Sequence, residues 1–353
     1  MIKILIVDDS KTETSLLQSL FESESDLRVV GCARNGKEAL KLTETLKPNL
    51  ITMDLAMPIL DGLEATRLIM SQYPTPIVII SSRLDNYALD ASFKALSAGA
   101  LAVLEKPRMN AASRPANTRI IETVRSMAEI KVVKRRFQTP PLKTKPLIKP
   151  KAFQSGKEFE IIAIGSSVGG PQALKVILTP LPAHFPVPIV IVQHMTEGFI
   201  QGFTQWLDNQ VALHVKEAED FELLRPGTVY FAPDKRHLEV IRNEKGLCAK
   251  LSEGEPVTGF YPSATVLLKS VAAVSGPQAI GLLLTGMGSD GALGLLELKN
   301  AQGYTLTQDA ESTVVFGMAG VAHSLGAVDR SVDLDKIAGY LIAITQKKRV
   351  SLS

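Results

Sequence analysis

Short apolar runs alternate with segments of helical periodicity along the first 125 residues of the chain. The runs that we expect to form strands are residues 2–7, 28–32, 50–53, 77–80 and 102–104. Between them, apolar residues recur at steps of three and four, as on one face of a helix. This alternation predicts a parallel sheet with helices on both faces. We therefore expect an N-terminal doubly wound α/β domain of five βα units.

A basic, proline-rich stretch then interrupts the pattern. Residues 131–151 contain eight Lys or Arg residues, four prolines and no acidic residue. Such a stretch cannot bury much surface or continue a helix, so it predicts a solvated tether. We expect a first domain over 1–125, a linker over 126–157 and a second domain over 158–348. A net charge of +3 gives no support to a nucleic-acid partner.

The alternation resumes after the linker and predicts a second α/β domain. Strands are expected at 161–164, 189–192 and 279–284, and helices from Pro171, around 203–207, at 263–274 and after Asp290. The middle residues 227–232 and 237–241 are typical of a hairpin. The predicted fold is thus a parallel sheet with an antiparallel hairpin insertion.

The N-terminal segment and the cysteines indicate where the protein acts. The apolar opening, residues 1–7, reaches acidic residues at once and is too short for a signal peptide or a membrane span. Cys32 and Cys248 fall in separate predicted domains and cannot form a framework of disulfides. We expect a cytoplasmic protein that is not inserted in a membrane.

Charged and hydroxyl side chains follow the predicted strands of the first domain. Asp8 and Asp9 follow the first strand, Asp54 the third, Ser81 the fourth and Lys106 the fifth. The carboxyl ends of parallel strands meet at one edge, so these groups can converge. A lone Asp after a strand is more often a turn or cap residue, but three clustered carboxylates need a cation such as Mg²⁺. Asp54 beside Mg²⁺ and a lysine is a candidate phosphoryl acceptor.

The order and spacing of these residues resemble a response-regulator receiver domain. The resemblance covers residues 2 to about 125 and rests on Asp8-Asp9, the run DLAMPILDG from Asp54, Ser81-Ser82 and Lys106-Pro107. It implies that a sensor histidine kinase phosphorylates Asp54. It also implies that Asp9, Asp54 and the Ala56 carbonyl bind Mg²⁺, with Asp8 nearby, and that Ser81 and Lys106 form the phosphate switch. Val103 departs from the aromatic residue that many receivers carry there.

A glycine-rich turn follows the first strand of the second domain. The sequence from Gly165 to Gly170 is GSSVGG, which fits the G-x-S-x-G pattern that presents a nucleophilic serine, here Ser167. The same segment is also typical of a loop that binds phosphate at a helix N-terminus. The turn alone does not separate the two interpretations.

Two further strand ends favour the nucleophile. His194 follows the strand at 189–192, and Asp290 follows the strand at 279–284 in the run TGMGSDG. A serine needs a base, and the base needs a carboxylate that fixes its tautomer. Ser167, His194 and Asp290 can fill these roles, although Asp290 could also cap the helix that follows it. The chain order Ser, His, Asp differs from that of ordinary α/β-hydrolases.

The segments IIAIGSSVGGPQAL, VIVQHMTEGF, VKEAED, LLLTGMGSDGALGL and VVFGMAG resemble the catalytic domain of chemotaxis-type protein-glutamate methylesterases. The resemblance spans residues 160–345. It implies the same Ser, His and Asp roles, an oxyanion hole formed by Met287 with Val168, and no cofactor at the esterase site. Val168 departs from a frequent threonine, and Tyr261 stands where an arginine is common before the proline.

Together the two resemblances imply a hydrolase, activated by phosphorylation, that demethylates glutamate methyl esters on chemoreceptor-type proteins. Some family members also deamidate glutamine, and the sequence does not decide whether this chain does. The alternative is a response regulator whose second domain only binds a partner. A DNA-binding output is disfavoured, because no helix-turn-helix spacing is present.

Overall fold

The computed structural model describes residues 1–81, 86–107, 114–130, 132 and 158–345, without the side chains of 86–89 and 114–116. The chain divides into two compact units, Met1–Pro141 and Leu142–Ser353. The division falls within the predicted linker, 126–157, of which 131 and 133–157 lie outside the described residues. The predicted end of the second domain, residue 348, also lies outside them.

The first unit is a five-stranded parallel sheet with strand order β2-β1-β3-β4-β5. Its elements are β1 (Ile2–Val7), α1 (Lys11–Glu22), β2 (Leu27–Ala33), α2 (Gly36–Leu46), β3 (Leu50–Met53), α3 (Gly62–Gln72), β4 (Ile77–Ser81), α4 (Asn86–Ala98), β5 (Ala102–Glu105) and α5 (Arg114–Ala128). The five predicted βα units are all present. The central strands are buried on both faces, as their continuous apolar sequences predict.

Helix α5 continues beyond residue 125, where the sequence patterns end the first domain. Met127 in its last turn and Ile130 just after it are both buried. The apolar residues therefore carry the packed part of the first unit to at least Ile130. The basic composition that suggested a linker begins only after that residue.

The second unit is built on a seven-stranded parallel sheet with strand order β14-β13-β12-β6-β7-β9-β8, and a separate antiparallel pair, β10-β11. Its elements are β6 (Ile161–Ser166), α6 (Gly170–Leu178), β7 (Ile189–Gln193), α7 (Ile200–Asp208), β8 (His214–Glu217), β9 (Thr228–Phe231), β10 (His237–Asn243), β11 (Gly246–Ser252), α8 (Ala264–Ser275), β12 (Ala279–Leu283), α9 (Ala292–Asn300), β13 (Tyr304–Gln308), α10 (Met318–Ser324), β14 (Arg330–Val332) and α11 (Leu334–Thr345).

The predicted hairpin between 227–232 and 237–241 is wrong in its first strand. Strand β9 instead pairs in parallel with β7 and β8, inside the main sheet. Val229, Tyr230 and Phe231 are all buried, which is typical of a strand covered on both faces. Strand β10 pairs with β11, and Gly246 turns the chain with a φ of +129°.

The sequence patterns do not indicate β8, β11, β13 and β14. Strand β14 has only three residues and lies at one edge of the sheet, and β8 is the strand at the other edge. Short, half-exposed edge strands lack the continuous apolar run that marks the central strands.

The three strands that precede the candidate catalytic residues lie side by side at the centre of this sheet. Strand β6 pairs with β7 on one side and with β12 on the other. Ser166 is level with Gln193, and Gly165 is level with Leu283. The segments that follow these strands therefore leave the sheet at the same edge. Among the described residues, no helix has both the length and the apolar character needed to cross a bilayer.

Gly62, at the start of α3, allows close packing against the loop that follows β3. A Cβ at this position would overlap the backbone oxygen of Asp54 and lie 2.9 Å from the Leu55 Cα.

The backbone cannot move aside as a flexible side chain can, so Gly62→Ala should destabilise the first unit by about 2–4 kcal/mol. We expect calorimetry of the full chain to show a lower transition temperature for this unit. At Gly254 an added Cβ meets nothing closer than 3.5 Å, so Gly254→Ala should leave both units unchanged. An equal effect of the two substitutions would contradict the close packing.

Candidate functional site

Ser167 lies directly after β6, in the turn that leads into α6. It is 8% exposed, and its backbone N–H donates to the Thr285 carbonyl at 3.1 Å. The positive φ of the turn, +76°, belongs to Gly169 and not to Ser167. The sharp turn expected from the glycines is therefore formed two residues after the serine, and the serine itself avoids the strained backbone of a nucleophile elbow.

Gln193, the last residue of β7, joins the serine turn to the histidine that follows it. Its side-chain NH₂ group donates to the Ser167 carbonyl at 2.9 Å and to the His194 carbonyl at 2.8 Å. Its Oε1 accepts from the Ser166 hydroxyl at 2.7 Å. The His194 N–H donates to the Ser166 carbonyl at 2.9 Å. Sequence reasoning missed Gln193, although a glutamine that ends an otherwise apolar buried strand was a usable signal.

His194 and Asp290 form a buried pair, as their positions after β7 and β12 predict. The Nε2 of His194 lies 2.9 Å from the Asp290 Oδ2, and the two side chains are 8% and 0% exposed. The Nδ1 atom of the imidazole is buried and has no hydrogen-bond partner within the described part of the chain. With Nε2 facing a carboxylate, Nε2 carries the proton and Nδ1 holds the free lone pair.

Asp290 also receives hydrogen bonds from the N-terminus of α8. The N–H groups of Ala264 and Thr265 lie 2.6 Å and 3.1 Å from its two oxygens, and the Ser263 hydroxyl lies 2.7 Å away. The helix that follows Asp290, α9, begins at Ala292, and its N-cap residue is Gly291, with no side-chain cap hydrogen bond. The alternative that Asp290 caps its own following helix is therefore wrong: it binds the start of a helix that precedes it in the chain.

These donors hold Asp290 in its ionised form. Burial favours the neutral acid, but the hydrogen bond and charge of His194, with the hydrogen bonds from Ser263 and Thr265, outweigh it and lower the pKa of Asp290 well below its usual range. The carboxylate is thus negative at neutral pH and can stabilise a positive imidazolium next to it.

The loop from Thr285 to Gly291 packs directly against the serine. A Cβ at Gly286 would lie 2.8 Å from the Ser167 Cβ, so only glycine allows this approach. Val168 and Met287 are the two residues predicted to form an oxyanion hole. Their N–H groups donate no hydrogen bond within the residues that the structure describes. Both amides therefore keep a donor that no described residue uses.

The first unit has a second cluster of functional groups at the carboxyl ends of its strands. Carboxylate oxygens of Asp8, Asp9 and Asp54 lie within 4.8 Å of one another. The Lys106 Nζ lies 2.6 Å from Asp8 and 3.3 Å from Asp54. Three negative charges and one positive charge leave an excess that suits a divalent cation bound by oxygen ligands. The structure thus brings these four residues together at one edge of the sheet.

The pKa values in this cluster reflect burial and like charge. Burial raises the pKa of Asp54 to about 6, and the charge of Asp8 adds to the shift while Lys106 opposes it. Burial acts to lower the pKa of Lys106, but hydrogen bonds and charges from Asp8 and Asp54 raise it. Without a bound cation, the Asp54 carboxylate is thus less stable than an ordinary one.

Other predicted residues of this cluster lie nearby. Ser81 ends β4 and is buried, and its carbonyl accepts from the Lys106 N–H at 2.9 Å. Ala56 lies in the loop after Asp54, and its carbonyl accepts no hydrogen bond from the described residues. Val103 is buried within β5. Ser82, quoted with Ser81 in the sequence pattern, lies outside the described residues.

Two family models match the chain, one in each unit. The response regulator receiver domain matches residues 4–113, and CheB methylesterase matches residues 162–341. The second match alone covers half of the chain. It contains the candidate residues Ser167, His194 and Asp290.

Curated relatives match over almost the whole length. A protein-glutamate methylesterase/protein-glutamine glutaminase from Syntrophus aciditrophicus is 43% identical over 98% of both chains. Another protein of that name, from Myxococcus xanthus, is 44% identical over 96% of both chains. The crystal structure of the Thermotoga maritima CheB methylesterase catalytic domain is 37% identical, with a TM-score of 0.51, and the match covers 52% of this chain and 98% of that one. This chain therefore belongs to the CheB family of protein-glutamate methylesterases, with a response regulator receiver domain at its N-terminus.

Proposed function

We propose that this protein hydrolyses methyl esters of glutamate side chains on chemoreceptor-type proteins, and that phosphorylation of its receiver domain activates it. Ser167 is the nucleophile, His194 the base and Asp290 the group that fixes the base. The observation that carries this proposal is the buried His194–Asp290 pair, whose Nδ1 has no partner among the described residues. The backbone N–H of the same histidine donates to the Ser166 carbonyl, next to Ser167. A structural histidine with this burial would normally have both nitrogens bonded.

In the first half of the reaction, the Ser167 Oγ attacks the γ-carbonyl carbon of the glutamyl ester while its proton moves to the His194 Nδ1. The carbonyl oxygen becomes negative and accepts hydrogen bonds from the N–H groups of Val168 and Met287. The C–O bond to the methoxy group then breaks, and methoxide takes the proton from Nδ1 to leave as methanol. An acyl-enzyme on Ser167 remains.

Water completes the reaction by the same path. It attacks the acyl carbon while Nδ1 accepts one of its protons, and the bond to the Ser167 oxygen breaks as Nδ1 returns that proton. Free glutamate side chain and intact serine are released. A glutamine side chain can follow the same steps with ammonia as the leaving group, so we include deamidation in the proposal, as the relatives' names suggest.

The residues of the receiver cluster control the esterase activity. Asp54 is the acceptor of a phosphoryl group from a sensor histidine kinase, and Lys106 binds the phosphoryl oxygens. Asp9, Asp54 and the Ala56 carbonyl would hold Mg²⁺, which neutralises the crowded charges during transfer. Ser81 and Lys106 then couple phosphorylation to a change in shape.

Replacement of the nucleophile tests the proposal directly. Ser167→Ala should reduce release of methanol from methylated receptor membranes by at least about 10³-fold, because no acyl-enzyme can form. The matched control is Ser166→Ala, which removes the neighbouring hydroxyl. Among the described residues this hydroxyl is bonded to Gln193 alone, so the variant should retain activity within about tenfold. Equal activity of Ser167→Ala and the parent would instead support a second domain that only binds a partner.

Asp290→Asn tests the role of the carboxylate. The amide cannot hold the proton on Nε2 or balance an imidazolium charge, so kcat should fall by about 10³–10⁴-fold. Steady-state kinetics on the methylated substrate, with circular dichroism as a check on folding, would measure this. A fall of less than tenfold in a folded variant would remove Asp290 from the mechanism.

Control by phosphorylation predicts a response to a small phosphodonor. Acetyl phosphate with Mg²⁺ should raise the rate of methanol release by the parent, and chelation of Mg²⁺ should remove the stimulation. Asp54→Asn should keep the unstimulated rate but lose the response, because its amide cannot accept phosphate. A full response in Asp54→Asn would show that the acceptor is another residue.

A further inference from the structure

A tight turn at residues 257–260 lies against the His194–Asp290 pair. Val257 and Phe260 exchange two backbone hydrogen bonds, of 3.1 Å and 3.0 Å. The two residues between them have positive φ values, +53° for Thr258 and +82° for Gly259. Positive φ at both central positions is the pattern of a type I′ turn, where Asn and Gly are strongly preferred.

Thr258 is an unfavourable residue for its position in this turn. A β-branched side chain in the left-handed region is a backbone outlier, and such strain persists where the surroundings require it. The Thr258 hydroxyl has two acceptors within hydrogen-bond distance. They are the carbonyl of the preceding residue, Val257, at 2.7 Å and the Asp290 Oδ1 at 2.9 Å. The strained backbone thus places a hydroxyl on the carboxylate oxygen that His194 does not use.

Phe260, the last residue of the turn, covers one face of the His194 imidazole. The two ring centroids lie 3.9 Å apart and the planes differ by 5°. The Phe260 ring also lies near the loop from Thr285 to Gly291, since a Cβ at Gly288 would lie 3.7 Å from its Cε2. One aromatic ring therefore stacks on the proposed base and lies near the loop that carries Met287.

We propose, on the basis of the esterase function above, that the turn 257–260 is a positioning element for catalysis. The rotation of an imidazole about its last torsion is broad, and a single hydrogen bond leaves it some freedom. A flat ring stacked on its face removes that freedom, while the Thr258 hydroxyl fixes the plane of the carboxylate. Together they hold the imidazole in one orientation, with Nε2 on Asp290 and Nδ1 left to act as the base.

The turn lies near the protein surface, so a role in catalysis can be distinguished from a role in stabilising the fold. Thr258 and Gly259 are exposed and Phe260 is half-buried, so the turn adds little to the hydrophobic core. Misplacement of a catalytic group by about 1 Å can reduce the rate about 100-fold. Substitutions in the turn are therefore expected to change kcat while the stability of the protein stays almost the same.

Phe260→Leu in the full-length protein tests the role of the ring. We expect kcat for methanol release to fall about tenfold, with KM within about twofold and an unchanged unfolding temperature. Phe260→Tyr keeps a flat ring and should retain the kcat of the parent. The control is Phe221→Leu, which removes an aromatic side chain that is 64% exposed and also has a positive φ. A rise in KM at constant kcat, or an equal effect of Phe221→Leu, would overturn the proposal.

Thr258 provides an independent pair of variants. Thr258→Val keeps the shape and the β-branch but removes the hydroxyl, so kcat should fall, whereas Thr258→Ser should retain it. If both variants behave alike, the hydroxyl has no positioning role.

A double-mutant cycle then shows whether Phe260 acts through the base. In a His194→Ala background, Phe260→Leu should cause no further loss of the residual rate, because the group that it positions is absent. A further tenfold loss in that background would overturn the proposal. Failure of the esterase function itself would look different, since the parent would then release no Ser167-dependent methanol.

Discussion

The carboxylate of Asp290 accepts the hydrogen bonds on which the candidate active site depends. It joins the loop after β12 to the start of α8 and to the imidazole after β7, which are remote from one another in the chain. Donors from α8 satisfy this buried charge, so the cost of removing it from water is offset by hydrogen bonds. The same donors keep it ionised, and an ionised carboxylate sets which imidazole nitrogen carries the proton. In the proposed mechanism, the transfer of the Ser167 proton to His194 depends on this carboxylate.

The parts of this arrangement that follow from strand order could be predicted from the sequence. Ser167, His194 and Asp290 each follow an apolar run, and the ends of adjacent parallel strands must meet. The same reasoning brought Asp8, Asp54 and Lys106 together in the first unit. Continuous burial of the central strands made these runs easy to recognise. The sequence patterns did not indicate β8, β11, β13 and β14, of which β8 and β14 are short edge strands. Strand β9 was predicted as a strand, but it was assigned to a hairpin and not to the main sheet.

Contacts that depend on side-chain direction could not be predicted. Periodicity places Ser263 at a helix start, but not against a carboxylate that comes later in the chain. The sequence shows Gln193 only as the polar end of a strand, although its side chain donates to the carbonyls of both Ser167 and His194. In the sequence, the segment around Tyr261 showed only a departure from the family pattern. In the structure, the nearby Thr258 contacts Asp290 and Phe260 stacks on His194. Tyr261 itself packs on His237, at 4.6 Å between ring centroids.

In the proposed mechanism, Asp290 holds the His194 proton on Nε2 and leaves Nδ1 as the base. Nitrogen-15 NMR of protein labelled in its histidines, at neutral pH and with His194 assigned by substitution, tests this most directly. We predict a protonated Nε2, whose proton resonance is shifted strongly downfield by the carboxylate, and an unprotonated Nδ1. A protonated Nδ1 with an unprotonated Nε2, or rapid averaging of the two as in a free imidazole, would contradict the account.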